Sequence, residues 1–270
     1  MSIFIKIRNF LSDPRIKGVD VNSDELLVVH RRILMEKKMM NKVFSDFYSK
    51  CISLDKKYLS GDGLRIEIGA GVSFFKQKYP EIVSTDIKKA ENLDRVLDAQ
   101  NMDLDNKSVR AFYGLNCFHH FPEPEKFFKE LQRVLVPGGG CILIEPYHGF
   151  VASHFYKKLF DTETFDKTQQ RWVNTNSEIM QGANQALSYV VFKRDLKKFH
   201  SLYPDLEIVL QSPLNNYLQY LLSGGLNFRS LVPSTLQPLV KFFEIILFPL
   251  NKFLALHHII LIRKKYNQDS

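Results

Sequence analysis

At residues 65–73 the chain reads Arg-Ile-Glu-Ile-Gly-Ala-Gly-Val-Ser, and this stretch decides its fold. The pattern predicts a short apolar strand, a glycine-rich turn and the start of a helix, an arrangement in which backbone N–H groups close on a small charged ligand. A dinucleotide-binding turn has a third glycine or alanine at the sixth position of the motif, where this chain has the bulky Phe74. Glu67 precedes the first glycine by two residues, and its carboxylate suits a ligand that carries an ammonium group. The turn therefore favours such a ligand over a dinucleotide.

The composition is that of an ordinary globular protein. The 270 residues are enough for one large α/β domain with additions or for two small domains. Hydrophobic residues make up 45% of the chain and charged residues 24%, so a sizeable core is expected rather than disorder. The net charge of +8 suits an anionic membrane surface, nucleic acid or an anionic substrate, and does not choose among them.

The cysteines and the N-terminus indicate a cytoplasmic protein. Cys51, Cys117 and Cys141 lie far apart without paired spacing, which favours a reducing compartment and argues against disulfides or a zinc site. We therefore predict no metal. Lys6 and Arg8 interrupt the apolar N-terminus, so no cleaved signal peptide is expected.

Strand and helix patterns alternate along the chain after residue 60. A helix is expected between the fourth and fifth strands, with Pro124 in its first turn and Pro137–Gly140 ending it. About eight residues separate the second and third strands, which is short for a full helix, so a helical turn or a bare loop is expected there. The alternation predicts a parallel, doubly wound α/β sheet. Strands are predicted at residues 64–68, 81–86, 94–100, 108–115, 141–145, 205–211 and 257–262.

Residues 23–58 carry helix signals and contain neither glycine nor proline. Their aromatic residues recur at helical spacing, which is typical of a core-facing helix pair. The alternative is a lid over a ligand site.

Acidic residues end the second and third predicted strands. Asp86 follows Gly69 by 17 residues, close to the spacing of about 20 residues at which an acid reaches ribose hydroxyls. The alternative for Asp86 is a surface aspartate without a ligand. Asp98 and Ala99 occupy the equivalent place after the third strand.

These motifs, together with the runs 118–121 (Phe-His-His-Phe) and 130–140 (Glu-Leu-Gln-Arg-Val-Leu-Val-Pro-Gly-Gly-Gly), resemble class I S-adenosylmethionine-dependent methyltransferases of the methyltransferase type 11 group. The resemblance covers residues 60–150 and implies S-adenosylmethionine as cofactor. Two departures are Ser73 at the third small position of the turn and the short crossover before the third strand. The cofactor-binding residues implied are Glu67, Gly69, Ala70 and Gly71 at the methionine end, Asp86 and Ile87 at the ribose, Asp98 and Ala99 at the adenine, and Asn116 beside the sulfonium.

The resemblance also implies the overall organisation. We expect a Rossmann-like, doubly wound sheet of seven strands with the last antiparallel, an N-terminal helical cap over residues 1–60 and a methyltransferase domain over residues 61–270. The domain would carry an insertion at 146–200 and an apolar helical segment at 221–256.

A sulfonium is already an activated methyl donor. Methyl transfer therefore requires mainly that the protein position the donor and the acceptor and, with a hydroxyl acceptor, that it provide a base. His119, His120, Tyr147 and His148 follow strand ends and are candidates, with His120 and His148 the predicted catalytic residues. The alternative is that they hydrogen-bond the backbone.

Insertions at this edge of a sheet build acceptor pockets, which suggests Tyr147, Trp172 and Asn184 as substrate-binding residues. The alternative is a surface-packed subdomain.

Residues 221–256 form the most hydrophobic region. Ile245 to Ile262 contains one charge, Lys252, and approaches the length of a membrane-spanning helix. Pro249 interrupts it, so peripheral membrane contact or plain core packing are the other interpretations.

The sequence favours methyl transfer to a small molecule, hydrophobic or lipid-linked. A catalytically silent cofactor- or partner-binding relative is an alternative, and a nucleic-acid methyltransferase ranks last because the positive charge is dispersed.

Overall fold

A computed structural model describes residues 10–20, 23–159, 163–174 and 183–266. The N-terminal segment discussed above as a signal lies mostly outside these residues. One sheet holds seven strands in the order β3-β2-β1-β4-β5-β7-β6. The strands are β1 (Leu64–Ile68), β2 (Ile82–Asp86), β3 (Arg95–Val96), β4 (Val109–Leu115), β5 (Leu135–Pro146), β6 (Leu206–Pro213) and β7 (His257–Lys264).

The sheet confirms the predicted topology. Strands β1 to β5 run parallel to one another, and β7 pairs antiparallel with both β5 and β6. The crossover from β2 to β3 contains no helix, as its length predicted. The order of strands reverses at β1, which has β2 on one side and β4 on the other. Ligands bind α/β sheets at such a switch point, outside the carboxyl ends of the strands.

Two strands differ from the prediction. β3 has only two residues, because Leu97 and Ala99 turn away from the sheet edge and become buried. β5 begins earlier than predicted, at Leu135, and its pairing with β4 is interrupted by a bulge before it resumes at Gly140. Glycine is required within this segment, since a Cβ at Gly140 would lie 2.3 Å from the carbonyl oxygen of Ile262.

Helices cover both faces of the sheet, as alternation of side chains along the buried strands requires. In β5, Cys141 and Leu143 share a core with the helix Pro124–Val134, whereas Ile142 and Ile144 share a core with the helix Lys38–Tyr58. The helices are α1 (Asp24–Glu36), α2 (Lys38–Tyr58), α3 (Phe75–Lys78), α4 (Pro124–Val134), α5 (Phe150–Leu159), α6 (Leu187–Tyr189), α7 (Leu196–Leu202), α8 (Tyr217–Ser223), α9 (Gln237–Ile246) and α10 (Asn251–Leu254).

The N-terminal helices take both of the roles considered for them. α2 is a core helix, and its buried Asp55 accepts hydrogen bonds from Arg65 Nε (3.0 Å), Arg110 Nε (3.0 Å) and Tyr113 Oη (2.7 Å), which ties the helix to β1 and β4. α1 lies over the carboxyl edge of the sheet, where Arg31 donates to the carbonyl oxygens of Val72 and Ser73.

Residues 221–256 form short helices rather than one long helix. Within the described ranges, no helix is both long and apolar enough to cross a membrane. α9 is fixed to α8 by the fully buried Glu244, which accepts from the backbone N (2.9 Å) and Nε2 (2.6 Å) of Gln219. Large apolar side chains remain exposed on this segment at Leu236, Leu239, Phe242, Phe243, Ile245, Ile246, Phe248, Leu250 and Phe253.

Candidate active site

A cavity of about 290 Å³ opens at the carboxyl ends of β1, β2 and β4. α1 contributes Leu27 and His30 to its wall, and Leu226 lies on the wall from the segment after α8. None of these three was predicted from the sequence, because each lies far along the chain from the glycine turn and no motif links it to that turn. All nine residues predicted on the cofactor side line the cavity: Glu67, Gly69, Ala70, Gly71, Asp86, Ile87, Asp98, Ala99 and Asn116.

The glycine turn packs closely against Cys117, and two of its backbone N–H groups donate to other residues of the protein. Gly69 (φ +61°) and Gly71 (φ +37°) have left-handed backbone conformations, and a Cβ at Gly69 would lie 2.5 Å from Cys117 Cβ. The N–H groups of Ala70 and Gly71 donate to Thr85 O and Asp86 Oδ2, each at 2.9 Å. These two N–H groups are therefore already paired within the protein, and whether other N–H groups of the turn close on a ligand stays a prediction. The helix that would aim them, α3, begins only at Phe75.

Asp86 and Asp98 present carboxylates held by the backbone. Asp86 accepts from the N–H groups of Gly71 (2.9 Å) and Lys88 (3.0 Å), and Asp98 accepts from the N–H of Gln100 (2.8 Å). Each carboxylate oxygen can accept a further hydrogen bond. The two side chains are thus fixed in orientation and retain capacity for hydroxyl or amine donors in the cavity.

The turn end of the cavity has acceptors that suit a cation. Glu67 is 1% exposed, and burial raises the pKa of its carboxyl to about 8. Asn116 has a left-handed backbone (φ +50°), and its buried Oδ1 has no hydrogen-bond partner within the described part of the chain. An unpaired buried acceptor costs free energy, and an ammonium donor at this end would satisfy Asn116 and favour ionisation of Glu67. The residues present therefore fit the amino-acid end of S-adenosylmethionine.

His119 is held by Glu145, which sequence reasoning missed. Glu145 Oε1 accepts from the N–H groups of Cys117 (3.0 Å) and Phe118 (2.9 Å), and Oε2 lies 2.6 Å from His119 Nδ1. The contact fixes the short 3₁₀ turn Phe118–His120 after β4. The sequence could have indicated Glu145, because it is an acidic residue near the end of a buried strand, as Asp86 is.

Glu163 lies on the other side of the histidine pair. Its Oε2 is 3.5 Å from His119 Nε2, and its Oε1 is 4.0 Å from His120 Nε2. Burial alone would lower the pKa of His119, but the charges of Glu145 and Glu163 raise it to about 10. Burial would raise the pKa of Glu163, but His119 lowers it to about 2. His120 also lines the cavity wall, so this cluster adjoins the cavity.

Two residues predicted to bind substrate have structural roles instead. Trp172 is 1% exposed, packs against Phe128 and donates from Nε1 to Asp195 at 2.9 Å. The amide of Asn184 is used within the insertion, where Oδ1 accepts from Asp166 N (2.9 Å) and Nδ2 donates to Asp166 O (2.8 Å). Neither side chain lies on the cavity wall. Part of the insertion, residues 175–182, lies outside the described residues.

Tyr147 and His148 are also absent from the lining of the cavity. Their rings contact each other and His258 of β7. Burial lowers the pKa of His148 to about 4, so this imidazole is neutral at pH 7. Of the two predicted catalytic histidines, the structure brings His120 to the cofactor cavity and leaves His148 outside it.

A second cavity of about 340 Å³ adjoins the first. Leu226 contributes to the walls of both. Its lining is almost entirely apolar and comes mainly from α8 and the segment after it. The lining residues are Leu11, Phe155, Tyr220, Leu221, Leu222, Gly224, Gly225, Leu226, Asn227, Phe228 and Leu231.

Residues 67–143 match a family model described as a methyltransferase domain. No curated protein sequence matches the chain. Geranyl diphosphate C-methyltransferase from Streptomyces coelicolor A3(2), solved with Mg²⁺, geranyl diphosphate and S-adenosyl-L-homocysteine, is similar over 94% of this chain and 89% of that chain, with 12% identity and a TM-score of 0.52. Phosphoethanolamine N-methyltransferase 2 from Haemonchus contortus, solved with S-adenosyl-L-methionine, matches 99% of this chain and 61% of that chain, with 11% identity and a TM-score of 0.48. The family match spans the segment from Glu67 through β4 that builds the cofactor cavity.

Proposed function

We propose that this chain, which carries a methyltransferase domain of the class I fold and uses S-adenosylmethionine, methylates a hydrophobic or lipid-linked small molecule. The observation that supports this acceptor is the second cavity, whose apolar wall meets the cofactor cavity at Leu226. An aliphatic chain seated there would place its polar end toward the cofactor. Burying that chain supplies the binding free energy, because apolar surface leaves water.

The nine predicted residues would hold the cofactor in the first cavity. Glu67 and Asn116 bind the ammonium end, Asp86 accepts hydrogen bonds from the ribose hydroxyls, and Asp98 marks the adenine end. Ala70 and Ala99 complete the wall with small side chains, while Ile87 offers an apolar surface. The positions of these side chains on one cavity wall support this assignment.

The bound cofactor supplies a methyl group on a positively charged sulfur. The chain's own residues contribute by positioning the two reactants. Because the two cavities hold both reactants, a bimolecular step becomes an effectively unimolecular one. For a hydroxyl acceptor, His120 is the predicted base, because its imidazole lies on the cavity wall. His119 orients its neighbour through the shared contacts with Glu163.

The exposed apolar side chains of residues 236–253 suggest how such an acceptor arrives. Contiguous exposed apolar surface marks protein or membrane contacts, and here Lys241 and Lys252 lie within the same segment. Because α9 packs on α8, this surface belongs to the unit that lines the second cavity. We propose peripheral contact with the cytoplasmic face of a membrane. The three cysteines are unpaired and buried, in keeping with a reducing compartment.

The test uses S-adenosylmethionine labelled in its methyl group and a detergent-dispersed lipid extract as acceptor. We expect label in the organic phase with the wild-type chain. Leu231→Arg, at the second cavity, should lower kcat/KM about tenfold or more by placing a charge on its apolar wall. Leu202→Arg is the matched control, since Leu202 is similarly exposed (47% against 53%) and lies on α7.

Both variants should bind S-adenosylhomocysteine as the wild type does. Cofactor binding without transfer to any lipid or other small molecule would contradict the proposal and favour a catalytically silent relative. Transfer that is equally fast in Leu231→Arg and wild type would exclude the second cavity as the acceptor site.

A further inference from the structure

We propose that His119, His120 and Glu163 bind one divalent transition-metal ion of the Zn²⁺ type beside the cofactor cavity. One ligand atom from each, a ring nitrogen of either histidine and a carboxylate oxygen, lies within 4.8 Å of the other two. Two histidines and one carboxylate are a ligand set of catalytic zinc sites, which leave one position open. The sequence-based prediction of no metal rested on the cysteines and did not consider these residues.

The N···O distances from His119 to Glu145 and to Glu163 can be compared with those of a hydrogen bond and of two ligands of one metal ion. A charge-assisted N–H···O hydrogen bond spans about 2.7–2.9 Å, and the His119–Glu145 contact of 2.6 Å has that character. The other nitrogen of the same ring lies 3.5 Å from Glu163 Oε2, which is long for such a bond. Two ligands on a tetrahedral ion, each at roughly 2.0–2.1 Å, are about 3.3 Å apart. The His119–Glu163 spacing is therefore compatible with two ligands of one ion, and His120 Nε2 lies 4.0 Å from the other oxygen of Glu163.

Glu145 supplies the supporting contact that metal-binding histidines usually have. Such a histidine donates its second ring N–H to a carboxylate, which fixes the ring and strengthens the metal bond. Here His119 Nδ1 meets Glu145, while Nε2 points to Glu163. Both carboxylates are largely buried, with side-chain exposures of 0% and 13%. One divalent ion with two neutral histidine ligands would balance the charges of the two carboxylates.

His120 lies on the wall of the first cavity, so an ion held by this cluster would adjoin that cavity. A hydroxyl oxygen of the acceptor bound there would lose its proton to water more readily, because the ion stabilises the oxyanion. His120 would then serve as a ligand rather than as the base. This role rests on the proposed methyl transfer, whereas metal binding itself does not.

The experiment measures metal binding without turnover. Tag-free protein is stripped with a chelator, dialysed against Zn²⁺ and analysed for metal content, and its affinity is measured by calorimetry. We expect one Zn²⁺ per wild-type chain. Glu163→Gln should weaken the affinity about 100-fold or more, and Glu145→Gln about tenfold, as for a residue that supports a ligand. Glu81→Gln and His200→Ala, both at exposed positions, should bind as the wild type does.

Three further measurements secure the interpretation. Co²⁺ in place of Zn²⁺ should give visible absorption bands with the wild type that Glu163→Gln lacks, and Mg²⁺, which prefers oxygen ligands, should not displace Zn²⁺. S-adenosylhomocysteine binding to each variant shows that it is folded and keeps a failure of the metal site separate from a failure of the cofactor site. Less than stoichiometric Zn²⁺ in the wild type, or equal affinity in Glu163→Gln and wild type, would overturn the proposal.

Discussion

Glu145 Oε2 lies 2.6 Å from His119 Nδ1, and this contact joins the carboxyl end of β5 to the turn that follows β4. The other oxygen of Glu145 accepts from two backbone N–H groups of that turn. The turn carries His120 into the cofactor cavity. A carboxylate buried in the core thus determines where the reactive wall of the cavity lies.

Replacing Glu145 with glutamine should therefore destabilise the fold. The amide keeps the shape but removes the charge opposite His119, and breaking a buried ion pair costs about 3–5 kcal/mol. Urea denaturation measures the change in the free energy of unfolding. Glu207→Gln, which breaks the partly exposed pair with Arg263, should cost no more than about 1 kcal/mol. Equal small losses in both variants would show that Glu145 does not organise the turn.

The two glycines of the turn should differ in their tolerance of alanine. Both have positive φ, which costs a residue with a Cβ about 1–2 kcal/mol. At Gly69 the added Cβ would also lie 2.5 Å from Cys117 Cβ, whereas at Gly71 its nearest neighbours are 3.7 Å away. Gly69→Ala should lower the free energy of unfolding clearly more than Gly71→Ala does in urea denaturation. The reverse order would mean that the turn does not pack on Cys117.

Cofactor affinity should depend on pH through Glu67. Burial raises the pKa of its carboxyl to about 8, so the carboxyl is protonated at pH 7 in the absence of ligand. An ammonium group binds the ionised form, so binding at pH 7 releases a proton and affinity rises from pH 6 toward pH 8, by up to about tenfold per unit. Above pH 8 the rise ends, because Glu67 is already ionised and the ligand's amine loses its own charge.

Glu67→Gln tests this linkage. Calorimetry with S-adenosylhomocysteine in two buffers of different ionisation enthalpy counts the protons released. The wild type should release protons at pH 7, and the variant should bind more weakly and without the rise between pH 6 and pH 8. A wild-type affinity that is flat across this range would place the ammonium group away from Glu67.

The local features of the site could be predicted from the sequence, whereas those that depend on distant segments could not. Glu67 and Asp86 lie at the carboxyl ends of β1 and β2, and Asp98 follows β3, so spacing alone brings them to one edge of the sheet. Glu163 reaches the histidines from an insertion with no periodic pattern, and nothing in its neighbourhood signals that contact. Trp172 was misassigned for the same reason, since an aromatic residue in an insertion can equally pack inward.

Membrane contact through α9 and α10 should depend on their exposed apolar side chains. Phe242 and Ile245 are 56% and 61% exposed, and burying a large apolar side chain is worth about 1.5–3 kcal/mol. The double variant Phe242→Glu, Ile245→Glu should therefore lose at least about tenfold in binding to phosphatidylglycerol vesicles, measured by co-sedimentation. Leu202→Glu is the control on α7 and should bind as the wild type does. Equal sedimentation of all three proteins would rule out this surface.

The cavity at the carboxyl ends of β1, β2 and β4 is predicted to hold the methyl donor, and calorimetric titration of the wild-type chain with S-adenosylhomocysteine tests this most directly. We predict one binding site per chain with a Kd in the micromolar range, about −8 kcal/mol, and at least tenfold weaker binding by Asp86→Ala, which loses the predicted ribose contact. No binding by the folded wild-type chain at concentrations that detect micromolar affinity, or undiminished binding by Asp86→Ala, would contradict the account.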